Sequence, residues 1–211
     1  MFLTFEGIEG CGKSTQAGRL AARLKARGIP CILTLEPGGT RIGRDIRRIL
    51  LNHDNQDLPP LSELFLYEAD RALHMEWVVK PALARNEWVV CDRFFDATTV
   101  YQGYARGQDL EMINFLNAKA SFGITPDRTF LLDCPVEVGI VRALKRNEGL
   151  DEAGQDRFER EQMDFHSAVR NGYLSLAQKE PERFVVVDGS MGEDDLEGMI
   201  FDSVRPLLPP L

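Results

Sequence analysis

Five short apolar runs recur along the chain, and longer stretches with helical spacing separate them. The runs are FLTFE (2–6), CILTLE (31–36), WVVCD (88–92), RTFLLD (128–133) and FVVVD (184–188). Each is apolar nearly throughout, the pattern of strands covered on both faces. Each closes on a carboxylate: Glu6, Glu36, Asp92, Asp133 and Asp188. Ligand sites in open α/β sheets lie beyond the C-terminal ends of the strands. These acids are therefore candidates for site chemistry, although Asp188 reads more simply as a turn residue.

Helical patterns fill the intervals: 13–27, 42–51, 61–85, 109–120, 135–146, 158–179 and 193–208. Gly28 stands where a helix would end, and Pro81 predicts a bend or restart within 61–85. The polar stretch NEGLDEAGQD (147–156) offers few groups to pack and reads as a flexible loop. Strands alternating with helices predict a mostly parallel sheet with helices on both faces. No repeat or long linker splits the 211 residues, so a single domain over 1–211 is expected.

Composition narrows the function. The net charge of −8 disfavours a broad basic face for nucleic acid. No run approaches the ~20 apolar residues of a membrane helix, and the start MFLTFEGIEG lacks the features of a signal peptide. Cys11, Cys31, Cys91 and Cys134 have no partner at C-x-x-C spacing. They read as free thiols in a reducing cytosol, and a cytoplasmic protein is expected.

The first strand runs into GIEGCGKST, in which Gly7, Gly12, Lys13 and Ser14 fit G-x-x-x-x-G-K-[ST]. Glycines let the backbone turn its N–H groups onto phosphate oxygens, and the helix that follows adds its positive end. Gly7, Ile8, Glu9, Gly10, Cys11, Gly12, Lys13, Ser14 and Thr15 are thus the expected cradle for the phosphates of a nucleoside triphosphate. Lys13 reaches the β/γ-phosphates, and Ser14 offers a hydroxyl to Mg²⁺. A GTPase would carry N-K-x-D, whereas NAKA (117–120) lacks the acid. A small phosphotransferase is the economical reading.

FEGIEGCGKST, EPGGT (36–40), ADRA (69–72), DRFFDATTVYQGYARG (92–107) and DRFE (156–159) follow one another in this order. Together they closely resemble the bacterial thymidylate kinases, over residue 1 to about 190. The resemblance implies a three-layer P-loop nucleotide kinase fold, with a five-stranded parallel sheet flanked by helices. It also implies a mobile lid at about 142–157 and a homodimer pairing helices such as 42–51 and 61–80. The implied reaction is in-line transfer of the γ-phosphoryl of ATP to dTMP, with no covalent intermediate.

By the same resemblance Arg71 and Arg93 hold the acceptor phosphate, which suits guanidinium geometry. Tyr67 stacks on thymine, Gln102 and Thr98 read the base, and Tyr101 packs against the deoxyribose. Glu36 and Pro37 belong to the acceptor side, and the turn they open suggests a cis Glu36–Pro37 bond. Glu9 faces the acceptor's 3′-hydroxyl and the metal–phosphate region, while Asp92 supports Mg²⁺ through water or orients Arg93. None of Ile8, Glu9, Gly10 and Cys11 is basic, and for such a loop the resemblance implies that the lid supplies the catalytic cations beside Lys13. Arg146 is expected to lead and Arg142 to support it, with Arg157 a further candidate. Leu35 and Ala97 stand where the family commonly has arginine and serine. The rival readings are another nucleoside or nucleotide kinase, and a non-catalytic P-loop regulator that binds a protein partner.

Overall fold

The protein, in this computed structural model, is described for residues 1–147 and 156–209. Strands β1 (Phe2–Glu6), β2 (Cys31–Leu35), β3 (Trp88–Asp92), β4 (Arg128–Asp133) and β5 (Phe184–Asp188) form one sheet in the order β2-β3-β1-β4-β5. All pairings are parallel, with Phe5 in register with Asp92 on one side and Phe130 on the other. The central β1 is buried at every position. The apolar pattern means two covered faces only for β1, β3 and β4. At the edges β2 and β5 leave Leu33 and Val186 about half exposed, because one flanking neighbour and part of the helix cover are missing there.

Successive residues of β1 feed opposite layers. Phe2 joins Met75, Val79 and Phe94 on one face, while Leu3 and Phe5 join Leu20, Leu24 and Tyr173 on the other. This period-two division gives the three-layer α/β architecture. All four cysteines are free and buried within it.

Helix α1 (Lys13–Ala26) ends with Gly28 in the left-handed region at φ +74°. Ile29 N–H donates back to Leu24 O, and Gly28 N–H to Lys25 O, which closes the end of the helix. Helix α2 (Arg41–Leu51) is capped by Thr40, whose hydroxyl accepts from Gly43 N–H. Helix α3 (Pro60–His74) widens into a π-helical turn at Met75–Val79 and restarts as α4 (Lys80–Ala84), with Pro81 in the first turn of the restart. Helices α6 (Leu110–Ala120), α7 (Val136–Asn147), α8 (Met163–Lys179) and α9 (Glu193–Val204) complete the layers. Residues 158–162 precede α8 instead of opening it.

The sequence pattern does not announce one helix. Phe95–Thr98 (α5) runs directly into a π-helical turn, Thr99–Ala105. Thr99, Val100, Tyr101, Gln102 and Gly103 are all buried there. A helix enclosed on every side has no polar face, so period 3.6 leaves no trace in its sequence. The widened turn aims Tyr101 and Gln102 inward, a use typical of π-bulges.

Candidate active site

A cavity of about 320 Å³ opens beyond the C-terminal ends of β1 and β3. It gathers Glu9, Gly10, Lys13 and Ser14 from the phosphate loop, Glu36 and Pro37 after β2, and Tyr67 and Arg71 from α3. Asp92, Arg93, Thr98, Tyr101 and Gln102 close its remaining wall. Gly7, Ile8, Cys11, Gly12 and Thr15 complete the loop without lining the cavity.

Gly7, Gly10 and Gly12 adopt φ of +139°, +69° and +96°, conformations closed to most side chains. The loop also has no room for a side chain at Gly10. A Cβ there would lie 2.0 Å from the carbonyl oxygen of Gly139 on α7. Lys13 Nζ folds back to donate to Ile8 O at 2.6 Å, so the ammonium stands over the loop whose N–H groups would hold phosphate. Ser14 Oγ donates to Asp92 Oδ2 in a short hydrogen bond. Asp92 Oδ1 is buried without a partner. That oxygen and the Ser14 hydroxyl fit a hard divalent cation. Among the described residues no group of three or more His, Cys, Asp or Glu could hold a metal alone. A divalent cation held there would take its other ligands from phosphate oxygens and water, the coordination Mg²⁺ prefers.

Glu9 turns away from the phosphate cradle. Its Oε1 accepts from Arg93 Nη2 at 3.1 Å and from Tyr101 Oη, and His166 Nδ1 lies 3.5 Å from Oε2. Burial alone would raise this carboxyl. The contacts to His166, Arg93, Lys13 and Tyr101 outweigh burial and hold it well below the usual carboxylate range. A carboxylate in an anion-binding loop is thus stabilised by a guanidinium packed directly against that loop.

Arg93 itself is fixed from four directions. Nη1 donates to Gly7 O and Tyr173 Oη, both at 3.1 Å, and Nη2 donates to Glu9 and Tyr101. Its backbone sits in the left-handed region at φ +69°, a strain of the kind that gathers at functional sites. Tyr173 Oη in turn donates to Glu6 Oε2 at 2.7 Å, and Phe94 N–H to Glu6 Oε1 at 2.7 Å. Burial and the neighbouring Asp96 nonetheless push the Glu6 carboxyl upward.

Arg71 is not at the surface. It is 2% exposed, and four of its donors are engaged: Nε to Glu36 (3.0 Å), Nη1 to Glu68 (3.0 Å) and Asn117 (2.8 Å), and Nη2 to Thr98 (2.8 Å). Glu36 is also held by His74, at 2.7 Å, and the Glu36–Pro37 bond is cis. Tyr67 lines the cavity. Gln102 is nearly buried, and its Nε2 donates to Glu63 Oε1 at 2.8 Å.

The remaining strand-end acids serve the scaffold. Asp133 forms a bidentate pair with Arg170 at 2.6 and 2.8 Å. Asp188 accepts from the Ser190 hydroxyl and N–H, as a turn residue does.

Of the expected lid cations, the described Arg142 and Arg157 do not line the cavity. Arg142 donates to the carbonyls of Gly189 and Ser190 beyond β5. The Arg146 side chain and residues 148–155 of the expected lid lie outside the described residues. Arg157 is buried, with Nη1 2.6 Å from Glu63 Oε2 and 3.1 Å from Leu50 O. It anchors the chain after the lid to α2 and α3. Three contributors escape sequence reasoning. His166 and Tyr173 stand seven residues apart on one face of α8, a spacing that could have flagged them. Arg47 of α2 lines the cavity. Its Nη1 donates to Pro37 O at 3.0 Å, and among the described residues no carboxylate pairs with it.

Comparison with known proteins agrees with this geometry. The family model for thymidylate kinase matches residues 5–200. A thymidylate kinase of Geotalea uraniireducens is 52% identical over 203 residues, 96% of this chain and 95% of the relative. One from Desulfosudis oleivorans is 54% identical over 89% of this chain and 88% of the relative. The crystal structure of thymidylate kinase from Ehrlichia chaffeensis superposes with a TM-score of 0.78 at 32% identity, covering 97% of this chain and 98% of that one. A phosphate loop, the Arg93 guanidinium bonded to its Glu9 and a likeness running the length of both partners lead to one conclusion: this chain belongs to the thymidylate kinase family.

Proposed function

We propose that the chain phosphorylates dTMP to dTDP, taking the γ-phosphoryl of ATP. The observation that carries this reading is the shared cavity. Lys13 and Ser14 of the phosphate loop share one cavity with Arg93, Tyr67 and Gln102. Donor and acceptor would therefore meet end to end, as in-line transfer requires.

Each group has a role that its chemistry suits. The loop N–H groups and Lys13 grip the ATP phosphates. Ser14 and Asp92 would hold Mg²⁺, which supplies charge neutralisation between donor phosphates. Arg93 takes the acceptor phosphate, and Glu9 and Tyr101 keep its guanidinium aimed. Arg47, unbalanced by any described carboxylate, adds a second charge there. Arg71 fits that task less well than the family resemblance implies. Glu36 and Glu68 already balance its charge, and of five N–H donors one remains. A single donor on a neutralised guanidinium suits a carbonyl oxygen of the base. Tyr67 would stack on that base, with Gln102 and Thr98 near its edge and Tyr101 near the sugar. Arg146 and Arg142 remain the proposed lid-side cations, with Arg142 needing to leave Gly189 to act.

No helix among the described residues is long and apolar enough to cross a membrane, and we place the enzyme in the cytoplasm. The exposed Leu61, Phe65 and Phe115 on α3 and α6 support pairing into a homodimer. Sedimentation would check that pairing. ADP release with Mg·ATP across nucleoside monophosphates tests the main reading. dTMP should be preferred, and equal or better turnover of dCMP or dGMP would overturn it.

A further inference from the structure

Glu63 does not line the cavity, yet it controls a residue that does. It lies in the first turn of α3 and is fully buried. Its Oε1 accepts from Gln102 Nε2 and from Arg106 Nε, both at 2.8 Å, and its Oε2 meets Arg157 Nη1 at 2.6 Å. None of these contacts touches the phosphate loop.

A lone buried carboxylate would be costly, and the two guanidiniums offset that cost. They also make the group acceptor-only: a carboxylate has no proton to give. Gln102 must therefore turn its nitrogen, not its oxygen, toward Glu63. Among the described residues no hydrogen bond reaches Gln102 Oε1, and the residue lines the cavity. The orientation of this amide is set by charge, whereas a neutral neighbour would accept either end.

We propose that Glu63 is a positioning residue for base selection. By anchoring the amide nitrogen of Gln102, it presents Oε1 as a fixed acceptor. A pyrimidine whose N3 carries a hydrogen, as in thymine or uracil, can donate to that oxygen. Cytosine, whose N3 is a bare lone pair, meets acceptor with acceptor. The proposal rests on the reading of the cavity as a pyrimidine monophosphate site.

The test compares kcat/KM for dTMP and dCMP in the intact enzyme, in Glu63→Gln, in Gln102→Leu and in the double variant. Glu63→Gln keeps the shape but adds a donor, so Gln102 can turn over. The dCMP to dTMP ratio should rise about tenfold or more, the worth of one hydrogen bond, and chiefly through KM. In the Gln102→Leu background the same change should leave the ratio unmoved, since no amide remains to orient. A merely structural Glu63 would lower both activities together, and an unchanged ratio in Glu63→Gln overturns the proposal. A failure of the underlying reading looks different: the unaltered enzyme would not prefer dTMP at all. Should Glu63→Gln not fold, the Gln102 side-chain amide of the unaltered protein can be followed by NMR, assigned by its loss in Gln102→Leu. Slow hydrogen exchange without nucleotide supports the anchor, and exchange at the rate of a free amide overturns it.

Discussion

Arg93 and Glu9 meet at 3.1 Å although 84 residues separate them in the chain. One leaves β3, and the other sits inside the phosphate loop after β1. The contact joins the two halves of the site, so changes at either residue should be felt in both binding and stability.

Arg93→Lys keeps the charge but loses the planar fork that reaches Gly7, Tyr173, Glu9 and Tyr101 together. A lysine can satisfy part of that set and cannot also clamp a phosphate bidentately. kcat/KM for dTMP should fall about a hundredfold, or ~3 kcal/mol, while KM for ATP changes little. Steady-state kinetics with each substrate varied in turn will measure this. An activity within twofold of the parent would remove Arg93 from the acceptor site.

Glu9→Gln should change the pH dependence of stability. Because the Glu9 carboxyl is held below its ordinary value of 4.5, the unfolded chain binds its proton first as pH falls. Its stabilisation is therefore complete above about 4.5 and drains away as pH drops through the folded value. The variant lacks this contribution. Its melting temperature should lie below the parent's at pH 7, and the gap should begin to narrow as pH falls below ~4.5. A constant gap across that range, followed by calorimetry, would contradict the ion-pair account.

The phosphate loop should also be sensitive to a residue far from its motif. A Cβ on Gly139 would lie 2.5 Å from Glu9 O and 2.7 Å from Ile8 Cδ1, so Gly139→Ala forces the loop off α7. Overpacking of this kind costs about 1–3 kcal/mol. KM for ATP should rise more than KM for dTMP. Gly198 in α9 is the contrast: nothing lies within 4 Å of its added Cβ. Gly198→Ala should leave kinetics unchanged and raise stability by about 0.5–1 kcal/mol, since alanine costs a helix less entropy. Thermal melts and ATP titrations of the two variants separate local crowding from a general intolerance of glycine loss.

What was legible in the chain follows from how each element is built. The five strands are short, apolar and bounded by acids, so their positions could be read to within a residue. The phosphate loop is a local motif whose spacing alone fixes its geometry. Helix 95–105 left no periodic trace because it is enclosed on all sides. Glu63, His166 and Tyr173 act through contacts reaching 39 residues and more along the chain, as with Glu63 and Gln102, and no local pattern encodes such a meeting. Arg157 shows the opposite error. It stood in a motif beside the expected lid, yet its guanidinium is spent on Glu63 and Leu50.

Arg47 was the hardest to single out, because α2 carries Arg41, Arg44, Arg47 and Arg48 within eight residues. Only the fold distinguishes them. Arg41, Arg44 and Arg48 are exposed, and Arg48 pairs with Asp45 one turn away, whereas Arg47 turns inward beside Pro37 and lines the cavity. Arg47→Gln should therefore raise KM for dTMP by about tenfold, the worth of one charge-assisted contact, with KM for ATP unchanged. Arg44→Gln removes the same charge from the solvent side and should alter neither constant by more than twofold, within the ~1 kcal/mol expected of exposed charges. Raising the salt concentration should also weaken dTMP binding less in Arg47→Gln than in the parent, because one of the charges that salt screens is gone. Equal effects of the two substitutions would mean that Arg47 acts through the overall field of the helix and not through contact with the acceptor.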